Sequence, residues 1–216
     1  MKLVVRDSLA AYPIEGEGGV ASRAGFGVVL DFYTYMAMLG AAFQVRAGTI
    51  TTPLVGDVVL TDTAAEMAVS CATGKTIVPV ELGVGVRLAT GTLHEYAVKS
   101  VTGAHSGGTN FVPLPLRTGT RNGSTMPAAA STAAVSAAGG VTVPAELATT
   151  TRRHWEYSNP VAAGAGNDVS PLLWTPRTPP MLVGPWCLYV QIAATGTGPS
   201  YYAHLDFLEA DTDELL

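Results

Sequence analysis

The C-terminal part of the chain, residues 179–209, carries the strongest structural pattern in the sequence. Two runs, 186–193 and 201–208, are rich in aromatic and β-branched residues and are separated by a turn-forming segment, 195–199. Two such runs around a Gly/Pro turn predict a β-hairpin. The second run also alternates between two faces, which carry Tyr201, Ala203, Leu205 and Phe207 on one side and Tyr202, His204, Asp206 and Leu208 on the other.

Strand patterns recur across the rest of the chain with no regular helices between them. The segments 42–50 and 94–102 alternate as strands do, and 76–88 predicts a long strand in which Gly83 and Gly85 indicate a bulge or a close backbone approach. Roughly eight to ten short strands around a long irregular middle predict an all-β fold, an antiparallel two-sheet β-sandwich. Eight strands in two Greek keys make a jelly roll, and the predicted sandwich is of this type.

Three weaker patterns complete the predicted strand set. The segment 58–61 begins another strand, and 111–116, with two prolines two residues apart, favours an edge strand or an extended connector. The Ala/Ser-rich part of 118–140 has little side-chain bulk to pack and is compatible with a loop or with thin strands.

The predicted sandwich forms a single domain over residues 28–210, and its two flanks differ in character. Residues 1–27 contain few large apolar side chains and several turn formers, which predicts an extended N-terminal arm that lies over neighbouring subunits. Residues 211–216 form an acidic C-terminal tail that is expected to be disordered. The segment 24–43 has the length of a membrane span, but Asp31 and the Gly, Thr and Tyr content favour burial within protein.

The segment 28–39 admits two interpretations. Its aromatic residues and Thr34 favour a strand. A short helix is slightly preferred to the strand, and it would place five apolar residues along one stripe: Val28, Phe32, Tyr35, Met36 and Leu39.

Charge is scarce in this chain, and its scarcity bears on partners. Charged residues are 13% of the sequence and hydrophobic residues 48%, whereas about a quarter of an ordinary soluble domain is charged. The imbalance indicates that much of the outer surface is covered by other subunits, so a homo-oligomer, either a trimer or a lattice, is expected. A net charge of −5 without a basic run argues against direct nucleic-acid binding. The densest positive cluster, 152–154, is interpreted as a solvated strand end.

The sequence predicts no catalytic site, no cofactor and no metal site. Gly74-Lys75-Thr76 lacks the earlier glycine of a phosphate-binding loop, and the four histidines lack metal-ligand spacing. His204 and Asp206 share a strand face and would make two-thirds of a triad or metal site, but no third member accompanies them. Cys71 and Cys187 lack redox spacing; Cys187 is interpreted as a small buried apolar residue, and a disulfide between the two stays open.

The closing segment GPWCLYVQIAATGTGPSYYAHLDFLE resembles the last strand pair of single-jelly-roll structural proteins of viruses and bacteriophages. The arm at 1–27, the Pro/Gly-rich loops and the scarcity of charge are similar too. The resemblance implies a self-assembling protein of the virion, a capsid, decoration or spike subunit that contacts other virion proteins. Many small-genome capsid proteins carry a basic arm, and its absence here leaves genome packaging outside what the resemblance implies.

A second class of protein uses the same sandwich. Carbohydrate-binding modules and the receptor-binding heads of phages stack exposed aromatic rings on sugars, and an enzyme remains the least favoured class. The aromatic candidates for such stacking are Trp155, Trp174, Trp186, Tyr201 and Tyr202.

Overall fold

The computed structural model describes most of the chain and places it in short strands with two helices. The described residues are 19–21, 27–29, 32–89, 91–119, 123–130, 140–160 and 172–215. Their elements, in chain order, are β1 (Gly19–Ala21), β2 (Gly27–Val29), α1 (Phe32–Leu39), β3 (Ala42–Ala47), β4 (Leu54–Val55), β5 (Ala64–Ala65), β6 (Met67–Cys71), β7 (Lys75–Leu88), β8 (Leu93–Thr102), β9 (Ser106–Gly107), β10 (Thr109–Phe111), β11 (Leu114–Pro115), β12 (Ala128–Ala130), β13 (Val141–Thr142), β14 (Thr151–Pro160), β15 (Leu172–Trp174), β16 (Leu182–Val183), β17 (Trp186–Ala194), β18 (Ser200–Asp211) and α2 (Thr212–Leu215).

Two large antiparallel sheets form the body of the protein. The six-stranded sheet has the order β10-β12-β6-β17-β8-β14. The seven-stranded sheet has the order β11-β3-β18-β7-β15, with β4 also pairing with β18 and β16 with β7. Pairings between their named strands are antiparallel throughout the described residues. The prediction of an all-β, antiparallel two-sheet sandwich is confirmed.

The main core lies between the two sheets and is built from alternate residues of each. The predicted alternation of β18 is confirmed, and the structure shows which face is the inner one, since Tyr201, Ala203, Leu205 and Phe207 all join one cluster with residues of both sheets. Phe207 meets Phe43 of β3 with ring centroids 6.0 Å apart. Burying one large apolar side chain contributes about 1.5–3 kcal/mol, so this face alone fixes the register of β18.

The predicted C-terminal hairpin is wrong, because β17 and β18 belong to different sheets. β17 pairs with β6 and β8, whereas β18 pairs with β3, β4 and β7. The turn between them crosses from one sheet to the other, and the backbone of Gly198 packs against Gly56, whose N–H donates to the carbonyl of Pro199 at 2.8 Å. Residues 186–194 are buried on both faces except for half-buried Trp186, which identifies β17 as a central strand rather than a hairpin arm.

A second layer covers the outer face of the six-stranded sheet. The short sheet β5-β13-β9 packs there, and its apolar contacts include Ala65, Val141 and Val143 against Cys187 and Tyr189. Irregular chain after β13 is held to the same face by Glu146, which accepts hydrogen bonds from Lys99 Nζ at 2.6 Å and from the Tyr189 hydroxyl at 3.1 Å.

Helix α1 covers one end of the outer face of the seven-stranded sheet. Met36 packs there against a small cluster that includes Val78 and Leu208. The helical interpretation of this segment is confirmed for residues 32–39, but the predicted stripe is wrong. Val28 lies in β2, and Phe32 and Leu39 are exposed. None of the helices formed by the described residues is long and apolar enough to cross a membrane.

The structure also tests several smaller predictions. The strand expected at 58–61 does not form. The strand predicted at 42–50 ends earlier, at Ala47, and is followed by Gly48 with a φ of 67°. The Ala-rich segment 128–130 is a strand inside the six-stranded sheet, where its small side chains fit between neighbours. Residues 212–215 form a helical turn instead of a disordered tail. Of the predicted arm only β1 and Gly27 are described, and β1 pairs with β2; residues 1–18 and 22–26 lie outside the described residues.

Candidate functional site

One part of the outer face of the seven-stranded sheet carries polar side chains that no other described element covers. We call it the open face, and it consists of Gln44 and Arg46 of β3, Glu81 of β7, and Tyr202, His204 and Asp206 of β18. The second face of the predicted alternation, which carries Tyr202, His204 and Asp206, is therefore the outer face, and its fourth member, Leu208, is buried beneath α1. In the strand register His204 stands between Arg46 and Gly83, and Asp206 between Gln44 and Glu81.

Two glycines of β7 allow rings of β18 to lie across the neighbouring strand. A Cβ atom added to Gly83 would lie 2.3 Å from Cε1 of His204, and one added to Gly85 would lie 2.2 Å from Cζ of Tyr202. Both rings therefore occupy the space in which any other residue would place its side chain. The predicted close approach at these glycines is made by side chains rather than by backbone, and the bulges of β7 fall at Val80 and Arg87 instead.

Hydrogen bonds link the polar groups of the open face across three strands. Gln44 Nε2 donates to Asp206 Oδ1 at 2.7 Å, and Arg46 Nε donates to Gln44 Oε1. His204 Nε2 lies 3.4 Å from Glu81 Oε1. Burial raises the pKa of Asp206, and the hydrogen bond from Gln44 opposes that rise. These contacts hold the carboxylates of Asp206 and Glu81 beside the rings of His204 and Tyr202.

Glu81 is the neighbour of His204 and Asp206 that sequence reasoning missed, since it lies on another strand. The three groups are spread over an open sheet surface, and no serine or cysteine nucleophile accompanies them there. In the described part of the chain, no group of three or more His, Cys, Asp or Glu side chains is arranged to hold a metal ion. The arrangement can accept and donate hydrogen bonds to a ligand at the surface.

Two Ser–His pairs also escaped the sequence analysis. Ser70 Oγ lies 2.6 Å from His105 Nδ1 and also accepts the His105 backbone N–H at 2.9 Å. Ser100 Oγ lies 2.8 Å from His154 Nε2. Both serine side chains are buried, and burial lowers the pKa of each histidine. The first pair holds the 103–105 loop against β6, and the second holds the bulge of β14 at His154 against β8. Because both hydroxyls are buried, neither is placed to contact a substrate.

His105 also borders a cavity of ≈ 430 Å³ at the edge of the six-stranded sheet. Asn110, Phe111 and Pro127 line it beside the histidine. The imidazole turns Nδ1 toward Ser70, and the other polar side chains among the lining residues are those of Ser106 and Asn110.

The two cysteines lie on opposite faces of the six-stranded sheet and are free thiols. Cys71 belongs to the core between the sheets and Cys187 to the outer cluster, so a disulfide between them is excluded. Burial raises the pKa of Cys187 to about 12, which keeps it a protonated thiol. Its interpretation as a small buried apolar residue is confirmed.

The five aromatic candidates separate clearly by burial. Trp174 is 7% exposed and Tyr201 is fully buried, so neither can stack on a ligand. Trp155 and Trp186 are half-buried against the core, and Tyr202 lies on the open face. Tyr157, which the sequence analysis did not select, is exposed on β14 with its ring parallel to that of Trp155, centroids 6.2 Å apart.

The basic side chains at 152–154 are partly exposed to solvent and partly paired with acidic residues. Arg152 and Arg153 are exposed, as a solvated strand end requires, and Arg153 lies 3.5 Å from Glu156. Lys75 of the Gly74-Lys75-Thr76 turn pairs with Asp211 at 2.7 Å.

Two groups of exposed apolar side chains lie at opposite ends of the seven-stranded sheet. The helix patch consists of Phe32, Met38 and Leu39 on α1. The loop patch consists of Ile50, Val55, Val58, Val59 and Leu88. Val55 and Leu88 flank Ser200 in the same register row, and Arg87 donates to the carbonyl of Ile50 at 2.9 Å. β3 runs from one patch toward the other.

A cavity of ≈ 390 Å³ adjoins the helix patch. Tyr33, Ala37, Met38 and Leu116 line it, and Arg117 stands at its margin with a hydrogen bond to the carbonyl of Met38 at 2.5 Å. The lining of this cavity is mostly apolar, and Met38 belongs to both the cavity and the helix patch. The helix patch therefore continues into an apolar recess.

No known protein family, no curated protein and no solved structure matches this chain. Its function is therefore argued from its own geometry.

Proposed function

We propose that this protein is a non-enzymatic structural subunit of a virion, a capsid, decoration or spike protein that assembles with copies of itself and with other virion proteins. The observation that carries the proposal is the pair of exposed apolar patches on a chain with only 13% charged residues. Large apolar side chains grouped on a surface are typical of interfaces, because each loses its contact with water when a partner covers it.

Strand order supports a jelly-roll form of the sandwich. Eight of its strands, taken in chain order, are β3, β6, β7, β8, β14, β15, β17 and β18. The first of these pairs with the eighth, the second with the seventh, the third with the sixth and the fourth with the fifth. Such nested pairing results when one long hairpin is wrapped into two Greek-key sheets. Jelly rolls recur in viral capsid proteins, which favours the virion among possible assemblies.

The placement of the two patches supports an extended or cyclic assembly. A helix patch at one end and a loop patch at the other are different surfaces, and contact between different surfaces generates a ring or an open array. A trimer or a lattice follows from such contacts more directly than an isolated two-fold dimer. The N-terminal arm would add a further tie between neighbouring subunits.

Charge distribution favours a role other than genome binding. The net charge is −5, and the exposed Arg153 lies 3.5 Å from Glu156 and 3.8 Å from Glu146 rather than in a continuous basic surface. Neutralising phosphate requires several unpaired basic side chains on one face. We therefore propose that the chain contacts protein components of the virion and leaves the nucleic acid to others.

The proposal is tested by placing a charge in each patch. Met38 and Val59 are 56% and 55% exposed, so Met38→Glu and Val59→Glu change the surface without entering the core. Each is expected to weaken self-association by about tenfold or more, because a carboxylate would be buried against apolar surface. Leu147→Glu, at a residue 57% exposed on the cover of the other sheet, is the matched control and should assemble as the unaltered protein does.

Assembly is measured by mass photometry and electron microscopy, and folding by circular dichroism. An unaltered protein that sediments as a lone monomer at high concentration and forms no particle would overturn the proposal. Equal assembly of all three variants would show that these patches are not the interface.

A further inference from the structure

We infer that the open face binds a neutral saccharide, whose pyranose ring stacks on Tyr202 while its hydroxyl groups hydrogen-bond to Glu81 and Asp206. This binding would be independent of the assembly proposed above, since it uses neither the helix patch nor the loop patch.

The first ground is the way in which glycines of β7 seat the rings of β18. Glycine inside a strand weakens the sheet, and it commonly marks a place where another group approaches closely. Gly85 leaves room for the Tyr202 ring and Gly83 for the His204 ring, at the distances given above. A ring that extends sideways over a neighbouring strand keeps one face on the backbone and turns the other outward, where it can contact the C–H face of a sugar.

The second ground is the set of directed polar groups beside those rings. Asp206 accepts one hydrogen bond from Gln44, which holds its carboxylate in place, and Glu81 stands opposite in the same register row. An ionised carboxylate offers acceptor positions for several hydrogen bonds, so both can accept hydrogen bonds from neighbouring sugar hydroxyls. The exposed Leu173, paired with Gly83 at the edge strand, adds an apolar border.

The third ground is the balance of charge, which selects the class of sugar. Two carboxylates stand on the open face with one guanidinium, and Arg46 donates its Nε hydrogen to Gln44. An acidic saccharide would meet net repulsion from the two carboxylates, whereas the hydroxyl groups of a neutral one meet hydrogen-bond acceptors and donors without that repulsion. A second copy of the chain suits this face less well, because its central groups are polar and its exposed apolar side chains, Leu114 and Leu173, lie only at its two borders, paired with Gln44 and Gly83.

The inference is tested on the full-length protein with an array of neutral and acidic oligosaccharides, followed by calorimetry with the strongest neutral ligand. Tyr202→Ala is expected to lower affinity by about tenfold or more, because the stacking surface is lost. Tyr157→Ala removes an exposed tyrosine of the other sheet and should leave the affinity unchanged.

Two more variants separate ligand contact from a general loss of structure. Gly85→Ala keeps the tyrosine but displaces its flexible ring, and it should weaken binding while circular dichroism stays unaltered. Asp206→Asn retains the shape of the side chain and removes its charge, and it should weaken binding as well.

A folded protein that binds no neutral glycan, binds only acidic glycans, or binds equally well as Tyr202→Ala would overturn the inference. Particle formation by Tyr202→Ala, followed by mass photometry, should match that of the unaltered protein. Loss of saccharide binding with intact assembly, or the reverse, therefore separates the two proposals.

Discussion

Lys99 and Glu146 form an ion pair that is almost withdrawn from water. Their charged atoms lie 2.6 Å apart, and the two side chains are 8% and 9% exposed. The Tyr189 hydroxyl donates to the same carboxylate oxygen, and burial raises the pKa of that tyrosine. The pair thus holds the irregular segment after β13 against the six-stranded sheet.

Removing one partner of this pair should destabilise the fold strongly. We expect Lys99→Ala to lower the free energy of unfolding by about 3 kcal/mol, because Glu146 would remain buried with only the exposed Arg153, 3.8 Å away, as a cation. Lys75→Ala, which breaks the more exposed pair with Asp211, should cost about 0–1 kcal/mol. Urea unfolding of both variants measures the difference. A Lys99→Met, Glu146→Leu double variant should recover much of the loss, and equal effects of Lys99→Ala and Lys75→Ala would contradict the account.

Among single residues, the sequence could indicate positions but not partners. Gly83 and Gly85 stand two apart inside a strand pattern, and this spacing indicated a close approach. The groups that approach are His204 and Tyr202, far away along the chain, and no local pattern pairs them with β7. Glu81 could not be predicted as a member of the candidate site either, because only the strand register places it beside Asp206. The burial of Trp174 likewise depends on which sheet lies opposite β15.

Among elements, periodicity predicted strands well and their connections poorly. β7, β8 and the alternation of β18 were confirmed, because a buried face imposes a period of two on the sequence. A turn of the same composition can close a hairpin or cross between sheets, so the composition of 195–199 could not show which of these two connections it makes. The near-continuous apolar character of β17 was the available signal, since a hairpin arm with a wet face would have alternated.

The crossing between β17 and β18 should tolerate no side chain at Gly198. A Cβ atom there would lie 1.6 Å from the carbonyl oxygen of Gly56, which is backbone and cannot rotate away. We expect Gly198→Ala to lower the free energy of unfolding by about 1–3 kcal/mol, the range for overpacking. Gly140→Ala, where a Cβ meets nothing within 4 Å, is the control and should be nearly neutral. Thermal unfolding of both variants compares them, and equal melting temperatures would contradict the close packing of this crossing.

At the scale of the whole molecule, the fold class followed from composition and turn spacing, whereas the order of strands did not. A sandwich needs many short strands and many turn formers, and both are visible in the sequence. The pairing of β3 with β18 joins the two ends of the domain, which only the folded chain reveals. The scarcity of charge predicted exposed apolar side chains, but the grouping of some of them into the helix patch and the loop patch depends on that strand order.

The arm and the sandwich should prove separable. Every core residue that the structure describes lies at Tyr33 or later, and β1 pairs with β2 rather than with either large sheet. Deleting residues 1–27 should therefore leave the melting temperature of the sandwich unchanged while it reduces the fraction of protein in large assemblies, because ties between neighbours are lost. Scanning calorimetry and electron microscopy measure the two effects, with deletion of 212–216 as the matched terminal control. Unaltered assembly after deletion of 1–27 would remove the arm from the mechanism, and a collapse in melting temperature would show that the arm belongs to the folded core.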